Sequence, residues 1–149
     1  MALYTKKRLF SDGNPGQSGI STTPQWVKIT KTFTDFSTAA LTNSISIYTL
    51  PVKGYIHDVK IVPTTAFSGG TILTYTISVG ITGSNAKYCV ANNVFTGNTT
   101  VNEVHTAIAG MESNSATTDI KATATTTIGN LSVATAGSAD IYILVSIVS

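Results

Sequence analysis

The sequence predicts an all-β protein: an antiparallel, jelly-roll-like β-sandwich of about eight strands, preceded by an extended N-terminal arm. Three observations predict it. Apolar and hydroxyl residues alternate with period two in several separate runs, as they do when one strand face is buried and the other is wet. Threonine, serine, valine and isoleucine dominate while charged residues make up only 11%; side chains stiff at χ1 suit a pleated surface. Clusters of Gly, Pro and Asn recur between the runs at the ~8 to 12 residue spacing of a sandwich.

A length of 149 residues fits one folded domain, here residues 26–149, with residues 1–25 as the arm. The arm holds Lys6, Lys7 and Arg8, then Leu9 and Phe10, then a Gly-, Asn- and Pro-rich stretch that forbids a long helix or strand. One reading is a disordered tail. The other is a segment that orders on a neighbour, its basic triplet in an acidic groove and Leu9-Phe10 as the anchor. Three charges make a minimal patch with no motif around them, so nucleic acid is not the expected partner.

Trp26 to Phe33 reads as the first strand, with Val27, Ile29 and Phe33 inward and Lys28, Thr30 and Thr32 outward. Trp26 is expected in a core or an interface rather than as a ligand platform. Asp35 breaks that run, and Phe36 to Leu41 forms a short edge or turn. Ser44 to Leu50 follows, with Ile45 and Ile47 inward and Tyr48 opposite, and Pro51 ends it. The centre of the chain reads as two paired strands. The first turns Tyr55, His57, Val59 and Ile61 inward and Asp58 and Lys60 outward; the second turns Leu73, Tyr75, Ile77, Val79 and Ile81 inward. Pro63, which lacks a ladder donor, ends the first, and Gly69-Gly70 closes the loop between them.

Ser84-Asn85-Ala86 reads as a turn and Lys87 to Val90 as a short strand. Thr100-Val101-Asn102-Glu103 fits a capping box, and Val101, Val104, Ile108 and Met111 repeat near 3.6, so a short helix is expected there. In the run from Asp119 to Ile128, residues Ile120, Ala122, Ala124 and Ile128 face inward. Ala136-Gly137-Ser138 reads as a turn before the last strand, Ile141 to Val148, which is apolar on both faces. Such a strand is central in a sheet or packs against another subunit, which makes Tyr142, Leu144 and Val148, with Trp26, the expected subunit interface.

Chemistry is sparse. A lone cysteine, Cys89, excludes an intrachain disulfide and reads as a small buried hydrophobe. His57 and His105 are the only histidines, and no cluster with metal-ligand spacing surrounds either, so neither metal nor cofactor is expected. The seven acidic residues are scattered, and no phosphate-cradling glycine motif or nucleophile elbow occurs. The expectation is therefore no enzyme and no small-molecule substrate. No apolar stretch is long enough for a membrane helix, and MALYTKKRLF lacks the apolar core of a signal peptide. A net charge of +2 is too small to imply a polyanion partner. Few ions on the surface make it cheap to bury against a neighbour.

Leu50-Pro51-Val52-Lys53-Gly54 feeds a strand bearing Asp58; Thr64 to Thr71 forms a Thr-Thr-Ala-Phe-x-Gly-Gly-Thr motif; a long Thr/Val strand follows; and Ala134 to Gly137 gives an Ala-Thr-Ala-Gly turn before the apolar end. With these features the chain resembles small auxiliary structural proteins of tailed bacteriophages over about two thirds of its length, residues 1–25 lying outside the match. The resemblance implies a capsid decoration (cement) protein on the outer surface of the virion, bound to the major capsid protein and assembled as a homotrimer. It carries no catalytic residues to transfer. An alternative is a fibre or tail-associated module binding a host surface glycan, for which Tyr48, Phe67, Tyr88 and Phe95 are the candidate aromatics. A third is a scaffold lost from the mature particle.

Overall fold

The computed structural model describes residues 23–95 and 116–147. Among them the alternating runs become seven strands: β1 (Gln25–Thr32), β2 (Thr42–Leu50), β3 (Gly54–Ser68), β4 (Tyr75–Ile81), β5 (Ser84–Asn93), β6 (Thr118–Thr126) and β7 (Ala136–Ile147). They form two antiparallel sheets, β1-β7-β3 and β2-β6-β4-β5, packed as a sandwich. The capping-box segment, Thr100 to Met111, lies outside the described residues, as do the arm residues 1–22 and Val148.

The core lies between the sheets. Ile141, Ile143 and Val145 of β7 face Val59 and Ile61 of β3 along one wall, and Ile77 and Val79 of β4 with Ile120, Ala122 and Ala124 of β6 form the other; all are buried. Each fully buried Val or Ile contributes roughly 1.5 to 3 kcal/mol. The doubly apolar β7 is the central strand of its sheet, paired with β1 from Gln25↔Val145 to Thr32↔Ser138 and with β3 on its other side.

Several expectations give way to longer-range structure. The two central strands do not pair with each other: β3 pairs with β7 and β4 with β5 and β6, so the Gly69–Thr74 connection crosses from one sheet to the other. Pro63 does not end β3. It sits within β3, an edge strand among the described residues, at a register shift between Pro63 and Thr65, a place where a missing donor is tolerated. A second shift in β3, between Ile56 and Asp58, moves the strand's phase by one residue. Ile56 therefore turns inward with Val59, while Tyr55 and His57 leave the core face that simple alternation gives them. A shift in β2 between Ser46 and Tyr48 likewise lets Tyr48 pack on the core beside Ile45 and Ile47. The turn after β4 is Thr82-Gly83, with Ser84–Ala86 already in β5, and Ala136–Ser138 is the start of β7. Asp35 does form a turn, its carboxylate accepting from the Thr32 amide at 2.7 Å.

Tyr75 is completely buried, its ring 4.5 Å from that of Phe67. Its hydroxyl has no hydrogen-bond partner among the described residues, and burial pushes its pKa upward. An unmade buried hydrogen bond costs more than an absent hydroxyl. Tyr75→Phe should therefore leave the fold intact and raise stability by about 1 kcal/mol, seen as a higher urea midpoint with an unchanged slope. A lowered midpoint would show that the hydroxyl is satisfied in solution.

Candidate interaction surface

The outer face of β1-β7-β3 is built by strand register. Lys28 of β1 and Lys60 of β3 both stand opposite Tyr142 of β7, forming one row; Trp26 and Asp58 both stand opposite Leu144, forming the next; Thr30 and Val62 flank Asp140 in the third. Three of the four residues expected in a subunit interface, Trp26, Tyr142 and Leu144, thus share one face in adjacent rows, and the fourth, Val148, lies outside the described residues. Trp26 is 46% exposed, its ring meeting Tyr142 edge-on at 6.4 Å. Lys60 lies over the Trp26 ring at 5.2 Å and Lys28 over Tyr142 at 5.9 Å, distances at which a cation feels the ring's negative face. The edge-on contact and the two lysines thus brace both rings on this face.

Asp140 ties the face to β1. It accepts from Lys28 at 2.8 Å and from the Thr30 hydroxyl at 2.6 Å. Its burial pushes the carboxyl up, but the hydrogen bonds from Lys28 and Thr30 and the lysine's charge outweigh that and hold it below the ordinary carboxylate range. The same hydrogen bond and charge raise Lys28. A depressed carboxylate contributes stability above its unfolded pKa, near 4, and that stability is lost as pH falls through the lower folded value. Asp140→Asn should therefore destabilise at pH 7 and flatten the pH dependence below about 4, measured as urea midpoints across an acid series. An unchanged acid limb would remove Asp140 from the stability account.

The outer face of the other sheet is a lattice of hydroxyls already paired across strands. Ser44 meets Thr123 at 2.6 Å, Thr42 meets Thr125 at 3.2 Å, and Ser46 donates to Asp119 at 2.6 Å. Polar groups satisfied within their own sheet cost little to bury.

A third surface escaped the reading of alternation. Leu73 and Ile128, expected inward, are 62% and 52% exposed, because β4 begins only at Tyr75 and β6 stops at Thr126. Ile72 is buried in place of Leu73. Leu41 and Val133 are exposed nearby. Their loops are knitted together: the Thr126 amide donates to Leu41 O at 2.8 Å, Leu131 to Ala40 O at 2.9 Å, and the Thr74 and Thr127 hydroxyls meet at 2.8 Å. Four apolar tips thus crown one end of the sandwich, the only sequence signal being apolar residues just beyond strand limits.

The aromatics proposed for glycan binding do not form a surface. Phe67 and Tyr88 are buried, and Tyr48 and Phe95 pack against the core. His57 is hydrogen-bonded through Nε2 to Ser146 Oγ at 2.8 Å, with its ring 4.4 Å from Tyr55, on the exposed side of the bulge rather than in the core. Cys89 is buried, and burial, aided by the charge of Asp58, pushes its thiol up to about 11, far from a reactive thiolate. Among the described residues no group of three or more His, Cys, Asp or Glu could hold a metal ion, and no helix is long and apolar enough to cross a membrane.

No protein-family model matches the chain, and no curated protein sequence does. A solved structure, the cyanophage Pam1 capsid asymmetric unit, contains a chain that superposes with a TM-score of 0.62. The match covers 91% of this chain and 92% of that one, at 16% identity. A phage capsid chain has this fold. At that identity the likeness is one of architecture, and it spans nearly the whole of both chains.

Proposed function

We propose that this chain is a non-enzymatic structural protein of a bacteriophage virion, one that decorates the outer surface of the capsid and stabilises the shell. The observation that carries the reading is the fold shared, nearly end to end, with a chain of a phage capsid asymmetric unit. The surface chemistry supports it. Side chains suited to burial against protein occupy the β1-β7-β3 face and the apolar loop end, while the candidate groups for covalent or acid–base chemistry, Cys89 and His57, are sealed in the core or engaged with Ser146.

In this reading the major capsid protein and further copies of the chain are the partners. Trp26, Tyr142 and Leu144 contact a neighbouring copy in a homotrimer, and Lys6, Lys7, Arg8, Leu9 and Phe10 of the arm engage the shell. Each contact is weak, and linking several on one particle multiplies them through effective concentration. The test is to mix purified protein with undecorated shells, sediment them and measure shell survival on heating. Saturable co-sedimentation with a raised disruption temperature is the expected result. Protein left in the supernatant at tens of micromolar would end the decoration reading. Binding to host cells instead, lost with Trp26→Ser, would favour a glycan-recognition module built on Trp26 and Tyr142.

A further inference from the structure

Among the described residues four strands end a sheet: β1 and β3 in one, β2 and β5 in the other. An end strand offers a row of backbone donors and acceptors to any strand that reaches it, and charge or proline is what blocks such pairing. β1 is guarded by Lys31, which stands opposite the buried Ala139 and so lies on the core side of its sheet. β3 carries Asp58, Lys60 and Pro63, and β5 carries Lys87. β2, Thr-Asn-Ser-Ile-Ser-Ile-Tyr-Thr-Leu, has no charge and no proline, and its β-branched and aromatic residues favour an extended chain. The uncharged stretch is longer than the strand, running from Phe36 to Val52 between Asp35 and Lys53.

The two ends of β2 match each other. Leu41, just before the strand, and Val52, just after it, are both exposed. Asp35 marks the Leu41 end of the uncharged stretch and Lys53 the Val52 end. We propose that the outer edge of β2 is a docking site for the β2 of a second copy, antiparallel about a twofold axis. An antiparallel copy sets the Leu41 end of each strand against the Val52 end of the other, and the Lys53 end against the Asp35 end, both twice. A parallel copy would set like against like. A twofold contact repeats every pairing, so it requires a surface whose two halves complement each other, and that self-complementarity names the occupant.

The geometry suits such a join. Nine residues give an edge about 30 Å long. The shift between Ser46 and Tyr48 falls at mid-strand, so it lies near the axis, and the straight run on either side meets the opposite run of the other copy. Thr42, Ser44 and Ser46 already bond across to Thr125, Thr123 and Asp119, so closing the edge strands no hydroxyl among them. Two four-stranded sheets become one of eight, β5-β4-β6-β2-β2-β6-β4-β5. The contact shares no residue with the Trp26 face and stands apart from the decoration reading; on a particle it links one trimer to the next.

Crosslinking of the full chain tests both the edge and its direction. Leu41→Cys and Val52→Cys are made separately, and a bismaleimide with a reach of about 10 Å, roughly three residues of strand, is added to each variant and to their mixture. The native Cys89 is buried and does not react. A covalent dimer should form in the mixture and in neither variant alone. Adding Trp26→Ser to both should leave its yield unchanged, which separates this contact from the trimer contact. Leu41→Lys sets a second cation beside Lys53 of the other copy and should weaken association about tenfold in sedimentation velocity, while Leu41→Glu should weaken it less. No dimer in the mixture at about 100 μM overturns the proposal. So does a dimer from either variant alone, which would reverse the strand direction, and so does an equal effect of Lys and Glu at position 41.

Discussion

Gly137→Ala should destabilise the domain by about 3 to 5 kcal/mol, enough to lower the melting temperature by roughly 10 °C. Gly137 has φ +141°, where an L side chain is strained, and a Cβ there would lie 2.3 Å from Phe67 Cδ1 and 2.9 Å from Phe67 Cα. Phe67 cannot retreat. It is fully buried, stacked on Tyr75 and held through its amide by Val94. The clash therefore falls where the end of β3, the start of β7 and the core meet. Gly83→Ala separates strain from crowding: Gly83 has φ +84° with nothing within 4 Å of where a methyl group would stand, so only the backbone cost of about 1 kcal/mol remains. Thermal unfolding of the two variants decides the point. Equal losses would mean that the Phe67 side chain relaxes freely.

Removing residues 1–22 should leave the sandwich folded and cut shell binding by about 100-fold or more. β1 begins at Gln25, so the deletion takes away none of the β7 ladder pairs among the described residues. In the decoration reading the arm binds only other molecules, and in a multivalent assembly the weakening multiplies across copies. Circular dichroism and melting temperature should match those of the full chain while co-sedimentation with shells disappears. Replacing Lys6, Lys7 and Arg8 by Ala should give a smaller loss that narrows as salt is raised, since exposed charges are screened over a Debye length of about 8 Å at physiological ionic strength. A truncated protein that decorates normally would move the binding function to the loop end and the β1-β7-β3 face.

Local pattern carried the fold class because β6 and β7 obey it strictly: Ile120, Ala122 and Ala124 all face the core, and a strand apolar on both faces proved central. It failed where geometry depends on a partner strand. A single bulge at Ile56/Asp58 reverses inside and outside for Tyr55 and His57, and no residue in that run announces it. Adjacency in sequence suggests pairing β3 with β4, but which sheet a strand joins is decided by contacts more than fifty residues away, such as Ile61↔Ile141. The surface was half legible. Trp26, Tyr142 and Leu144 stood out as apolar residues on outward positions, whereas Lys60 reached the Trp26 ring only through the register of two ladders that share β7.

In the decoration reading, the position of β1 sets how the domain would carry load. Gln25, where the arm joins the fold, lies opposite Val145 near the end of β7, while the apolar loops of Leu41, Leu73, Ile128 and Val133 occupy the other end of the strands. Tension between an anchored arm and a seated loop end pulls β1 along its own axis against β7. The whole ladder from Gln25↔Val145 to Thr32↔Ser138 is then loaded in shear, its hydrogen bonds sharing the force together rather than opening one after another. A molecule pulled this way yields abruptly and late, as a mechanical clamp does.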